Sequence, residues 1–190
     1  MPELLSALHR KTIPGRHGAT GGEAITLGTR PLQGLWQLAG WDDFDAAAKP
    51  ALDHLGLDGL GDYRTARAGE RGTAWRIAPD RMLIETHADL SGFGSENLAV
   101  LDLGHARTVI TLQGEAARTL LSQVVAVDVS ATALAPGMFL QTGLHHVGVL
   151  IQCTGAQSFD ILAPATWAES VWDVLYDNAL PHGIRVPEAA

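Results

Sequence analysis

One order of elements occurs twice in this chain, and that repeat constrains the fold more than any other feature. Hydrophobic patterning predicts strands over Ala24–Thr29 and Leu35–Ala39, the second closed by Gly40. A helix capped by Asp42 follows, with Phe44, Ala47, Ala48, Ala51, Leu52 and Leu55 on one face. Lys49–Pro50 marks an irregularity in it, because proline lacks an amide donor. Gly56, Gly59 and Gly61 end it. Thr73–Ala78 and Arg81–Thr86 read as strands joined by a Pro79–Asp80 turn.

The order then recurs. Leu98–Leu103 and Val109–Leu112 read as strands, closed by Gly114, and Glu115–Val124 as a helix. Strands over Phe139–Thr142, His146–Gln152 and Phe159–Ala163 follow, then a helix over Thr166–Leu175 with Trp167, Val171, Trp172 and Leu175 on its apolar side. Gly40 and Gly114 are 114 − 40 = 74 positions apart. The same shift pairs Leu27 with Leu101, Trp36 with Ile110, Leu38 with Leu112 and Ile77 with Ile151. The pattern is that of an ancient duplication. The expected fold class is α+β: two tandem ferredoxin-like half-domains, each an antiparallel sheet with helices on one face. Neither half buries both sheet faces alone, so the two should pack as one unit. The expected division is a flexible leader over 1–22, a first half over 23–96 and a second over 97–190. The leader carries Leu4, Leu5 and Leu8 on one short amphipathic turn, and glycines at 15, 18, 21 and 22 then break regular structure.

Composition excludes several function classes. The 190 residues carry a formal charge of −8, which repels phosphate backbones and anionic membranes. The densest basic group, Arg64, Arg67, Arg71 and Arg76, is interleaved with Asp58, Asp62, Glu70 and Asp80 and reads as a solvated loop face. The lone Cys153 forms no internal disulfide and reads as a buried core residue. No window has the apolar length of a membrane span, and no signal-peptide pattern is present, so the expected compartment is the cytoplasm.

The common catalytic motifs are missing from the sequence. There is no G-x-x-x-x-G-K-[ST] sequence, and Gly56-Leu-Asp-Gly-Leu-Gly61 does not open a helix after a strand. Gly92-Phe-Gly-Ser95 lacks the glycine that a nucleophile elbow needs after its serine. His145 and His146, adjacent on an expected strand, point to opposite faces and cannot easily share a metal. Glu85-Thr-His87-Ala-Asp89 lacks a nucleophile partner and reads as surface loop. The tryptophans read as core or contact residues, with Trp41 the one expected to be exposed. The expectation is a binding or structural role, with no catalytic, cofactor-binding or metal-binding residue in this chain.

Two stretches carry a family resemblance. Ala66–Ile84 contains Trp75-x-x-x-Pro79-Asp80-x-x-Leu83. The second runs from Leu103 through the Gly114 helix, Leu134-Ala-Pro-Gly137 and Gln141-Thr-Gly143 to Phe159–Trp172. Both resemble the gamma subunits of heterotetrameric sarcosine oxidases, over roughly Glu23 to Leu175. The architecture also resembles the folate-binding part of the glycine-cleavage T-protein superfamily. The resemblance implies an alpha-beta-gamma-delta flavoprotein complex that oxidatively demethylates sarcosine to glycine. It implies FAD, FMN and NAD in the alpha and beta subunits, tetrahydrofolate as one-carbon acceptor, and a gamma subunit without cofactor that docks on alpha. It supplies no catalytic residue to carry over. Two other functions fit the residues: the same role in a related N-methyl amino acid dehydrogenase, such as one acting on N-methylglutamate, or a stand-alone folate-binding or one-carbon transfer protein. The last needs a carboxylate to hold the pterin. Asp128 and Asp160 are the candidates, with Asp128 expected at a helix-to-loop end and Asp160 facing solvent on an alternating strand. The expected docking patches are the leader leucines and the region around Trp41.

Overall fold

The structure is a computed structural model that describes residues 7–19 and 24–188. The strands in chain order are β1 (Gly15–His17), β2 (Ile25–Arg30), β3 (Leu35–Gly40), β4 (Arg67–Gly69), β5 (Gly72–Ala78), β6 (Arg81–Glu85), β7 (Leu98–Asp102), β8 (Arg107–Gln113), β9 (Phe139–Leu144), β10 (Val147–Gly155), β11 (Ser158–Pro164) and β12 (Ile184–Val186). The helices are α1 (Phe44–Leu55), α2 (Ala117–Val124) and α3 (Ala168–Ala179). The fold class is α+β with antiparallel sheets, as the patterning implies. Among the described strands, one neighbouring pair, β12 with β2, runs parallel.

The chain forms two compact units. Unit 1 comprises the described residues of Met1–Pro31 and Ala106–Ala190, and unit 2 is Leu32–His105. Unit 1 holds the sheet β1-β12-β2-β8-β11-β10-β9, and unit 2 the sheet β4-β5-β6-β3-β7. Five strands of each sheet match one to one in the duplicated order: β2-β8-β11-β10-β9 against β7-β3-β6-β5-β4.

The first strand of each repeat is exchanged. β2 opens the first repeat but pairs with β8 of the second, while β7 opens the second and pairs with β3 of the first. The expected 23–96 and 97–190 halves are therefore not the units. Local patterning gives the order of strands, and only ladder pairing assigns each to a sheet.

Ladder registers also correct the alignment. β3 matches β8 at 74 positions. Leu38 pairs with Val100 and Leu112 with Leu27, so Val100 is the counterpart of Leu27, at 100 − 27 = 73. Leu101, aligned with Leu27 at the uniform shift, is 44% exposed, whereas Leu27 is fully buried. The β5–β6 hairpin shifts register between Arg76 and Ala78, and the β10–β11 hairpin between Cys153 and Gly155, at 153 − 76 = 77. On this spacing Ala74, not Ile77, matches Ile151.

The paired glycines have matching surroundings. Gly40 donates its amide to the Asp80 carbonyl at 2.9 Å, and Gly114 to Gln157 at 3.1 Å, at the turn of the hairpin in each unit. A Cβ on Gly114, at φ +120°, would lie 2.2 Å from the Ala24 carbonyl oxygen; one on Gly40 would lie 3.1 Å from that of Asn97. Ala24 and Asn97 are the residues just before β2 and β7. Each glycine thus lets the exchanged strand approach at close range.

Helix-face cores hold each unit together. In unit 2, Phe44, Ala48, Ala51, Leu52 and Leu55 of α1 pack with Leu38, Ala74, Met82, Ile84 and Leu98 of the sheet. Gly56, at φ 68°, closes α1, and Pro50 is accommodated inside it without ending it. In unit 1, α2 and α3 contribute Leu120, Leu121, Val171, Trp172 and Leu175 to a core with Leu27, Ile110, Leu112, Val149, Ile151 and Ile161. Trp167, expected on the apolar side of α3, lies in a 3-10 turn before it and is 55% exposed.

The described part of the expected leader belongs to unit 1. Leu8 is fully buried in its core, β1 pairs with β12, and Lys11 Nζ bonds Asp173 Oδ2 of α3 at 2.8 Å. Leu4 and Leu5 lie outside the described residues. The open backbone of β12 offers hydrogen bonds that a glycine-rich segment can accept, which patterning alone does not reveal.

Candidate functional site

The histidine pair does not sit on a strand. His145 and His146, at φ 47° and 68°, form the two-residue turn between β9 and β10, with ring centroids 5.6 Å apart. Both occupy the left-handed region that a two-residue hairpin demands. Among the described residues, no group of three or more His, Cys, Asp or Glu could hold a metal ion. Cys153 is buried, as expected, and its thiol donates to the Gly155 carbonyl at 3.0 Å.

Glu85, expected at the surface, is buried, and its carboxylate accepts from the Gln33 amide at 3.4 Å. Thr86 donates to the Arg71 carbonyl at 2.5 Å and accepts from the Ala88 amide at 3.0 Å. These contacts fasten one wall of an open groove of about 560 Å³ in unit 2, lined by Gln33, Glu70, Arg71, Thr73, Thr86 and His87. In unit 1 an open groove of about 540 Å³ runs beside β1 and β12, where Arg16 and Arg185 face each other across the ladder.

The face of the unit 1 sheet opposite the helices carries a polar row. Gly28, Thr111, Asp160 and Gln152 occupy one line across β2, β8, β11 and β10. Arg30 Nε donates to Asp160 Oδ2 at 2.7 Å, with the Asp160 side chain only 12% exposed. Asp160 therefore does not face solvent. β11 is buried on both faces, so the outward position of an alternating strand is interior here. The matching line in unit 2 is Leu101, Gln37, Leu83 and Trp75, so Asp160 occupies the place of Leu83. Asp128 is exposed, at a loop start as expected. Its carboxylate accepts from the Ser130 amide at 2.8 Å, which holds it below the ordinary aspartate range.

Arg118 on α2 organises the loop between α2 and β9. Its guanidinium donates to the carbonyls of Val129, Leu134 and Ala156, and lies 4.9 Å from the Phe159 ring centroid. Asp62 does the corresponding work in the α1–β4 loop of unit 2. It accepts from the amides of Arg64 at 2.8 Å and Thr65 at 2.6 Å, which lower its pKa. Sequence reasoning missed Arg30 and Arg118. The available signal for Arg118 was a cation set between the apolar positions Ala117 and Leu120.

Sheet order, the exchanged strands and the helix layers define the class: the fold is that of the aminomethyltransferase T type. A chain of the heterotetrameric sarcosine oxidase from Corynebacterium sp. U-96, solved in complex with pyrrole 2-carboxylate, has a similar structure at 23% identity and a TM-score of 0.80, and the match covers 93% of this chain and 96% of that one. The glycine cleavage system aminomethyltransferase T from Bartonella henselae is similar at 15% identity and a TM-score of 0.59, covering 94% of this chain and 56% of that one. No family model and no curated protein matches the sequence. The fold agrees with the resemblance carried by the Trp75-to-Leu83 and Phe159-to-Trp172 stretches. No described helix is long and apolar enough to cross a membrane.

Proposed function

We propose that this chain is a non-catalytic subunit of a flavin-dependent complex that oxidatively demethylates sarcosine to glycine. One observation carries the reading: the likeness to a chain of a heterotetrameric oxidase runs end to end, over 93% of this chain and 96% of the other. The aminomethyltransferase is matched over only 56% of its length. In this reading the chain docks on a large alpha subunit beside beta and delta subunits. FAD, FMN, NAD and tetrahydrofolate are held by those partners. The alternative reading is the same subunit role in a complex acting on another N-methyl amino acid, such as N-methylglutamate.

A stand-alone folate protein needs a carboxylate free to receive the pterin. The charge of Asp160 is already neutralised by Arg30, and Asp128 is exposed and engaged by Ser130. The two candidates therefore do not fit the group, which supports the reading that places folate in a partner subunit.

The test is co-expression of the tagged chain with its genomic neighbours. Co-purification with a large yellow flavoprotein is the expected result. A monomer that binds tetrahydrofolate alone would overturn the reading.

A further inference from the structure

We propose that the outer edge of β7 in unit 2 takes an extended segment of a partner protein by strand addition. β12 takes the matching edge in unit 1. Where that segment comes from rests on the subunit reading above.

β2 and β7 are equivalent strands, and among the described residues only β2 is covered by another strand. The outer side of β2 pairs in parallel with β12, Ile184 beside Ile25 and Arg185 beside Thr26. Among the described residues, β7 ends its sheet, with no strand on its outer side. The Leu103 amide donates to the Leu35 carbonyl at 2.7 Å, so alternate residues Leu101 and Ala99 also bond inward to β3. The backbone groups of Leu98, Val100 and Asp102 then point outward. Those of Leu98 are exchanged with Ser95, at 2.9 and 3.3 Å. Val100 and Asp102 present the open donors and acceptors.

Apart from Asp102 at its end, this edge lacks the charged and proline residues that keep edges apart. Its sequence Leu98-Ala-Val-Leu-Asp102 contains no lysine, arginine or proline. The opposite edge of the same sheet, β4, is three residues long and opens on Arg67. Side chains repeat the contrast. Gly28 of β2 lies under Pro187, whose Cγ is 3.0 Å from where a Cβ would stand. The matching residue of β7 is Leu101, 44% exposed, and Trp41, just beyond the neighbouring strand end, is 60% exposed.

The chain itself shows what fits. β12 is a short extended segment in which buried Ile184 and Val186 flank exposed Arg185. The occupant assigned to β7 is a segment of that kind on another chain: extended, apolar at alternate positions, with a basic residue between them. The basic residue suits a chain of net charge −8 whose β7 ends on exposed Asp102.

Hydrogen exchange on the full chain, free and co-purified with the neighbouring flavoprotein subunits, tests this. The amides of Val100 and Asp102 should exchange at least about tenfold more slowly in the complex, because a ladder bond must open first. Val100→Pro removes an outward donor and leaves the inward bonds of Ala99 and Leu101, so it should abolish co-purification. Leu101→Lys should weaken co-purification while the thermal midpoint of the free chain stays unchanged, which separates docking from folding. A complex in which both amides exchange as in the free chain overturns strand addition and leaves the subunit reading standing. Absence of any complex overturns both. A dimer of the isolated chain with both amides slowed would make the occupant a second copy and overturn the partner assigned here.

Discussion

Units 1 and 2 share five strands in one order, yet they finish those sheets differently. Unit 1 adds α3, β12 and β1, ties its α2–β9 loop with a half-buried arginine, and places a carboxylate in mid-sheet. Unit 2 has one helix on its sheet, ties the corresponding loop with exposed Asp62, and has Leu83 at the carboxylate position. A repeated pattern of apolar residues suffices to repeat a sheet. What happens at its edges and on its second face is free to diverge.

The largest expected effect concerns the two glycines. Gly114→Ala should cost about 3–5 kcal/mol, since it combines a left-handed φ with a backbone collision. Gly40→Ala should cost less, about 1–3 kcal/mol, because Gly40 has no left-handed φ and its nearest backbone contact, the Asn97 oxygen, would stand at 3.1 Å, while buried Phe44 must shift from 2.8 Å. Thermal or urea midpoints measure both. Equal losses would mean that both glycines meet the same constraint, and the contrast between them would fail.

Arg118→Ala should destabilise by about 2–3 kcal/mol, leaving several loop carbonyls without their charged donor. Near-ultraviolet dichroism should report the loosened loop. Asp62→Ala in unit 2 should leave the midpoint within the scatter of surface substitutions. If the two behave alike, the contrast between a half-buried and an exposed tie fails.

Asp160→Asn should cost about 1–2 kcal/mol by removing the carboxylate that faces Arg30 at 2.7 Å in a half-buried place. The double variant Arg30→Met with Asp160→Leu copies the apolar character of unit 2 and should recover that loss. A double variant weaker than the single one would show that the pair adds stability of its own.

The smallest effect lies in the turns. His145→Asn with His146→Gly should stabilise by about 0.5–1 kcal/mol, because both residues sit at positive φ. The midpoint should rise slightly. No rise would mean that the imidazoles contribute contacts that offset the strain.

Much of this was legible in the residues. Strands β2, β3, β5 to β11 and the three helices follow from apolar periodicity, because burial on one face imposes a period of its own on each element. The Gly40–Gly114 repeat predicts duplicated order, and the fold carries it. β1, β4 and β12 were not legible. Each is three residues long, too short for a period, and is a strand only because an open edge stands beside it. The candidate site divides the same way. Asp128 could be placed from its neighbours in sequence. Asp160 could not, because its environment depends on Arg30, 130 positions away.

The repeated order of elements therefore has two levels. Apolar spacing by itself determined which elements exist and in what order, since local burial needs only local neighbours. The tertiary structure alone decided that β2 and β7 change places, that Asp160 is paired and inside, and that one of two equivalent edges is covered. Those outcomes depend on long-range ladder bonds and contacts, and a hydrogen-bonding edge leaves no period in the chain that will occupy it.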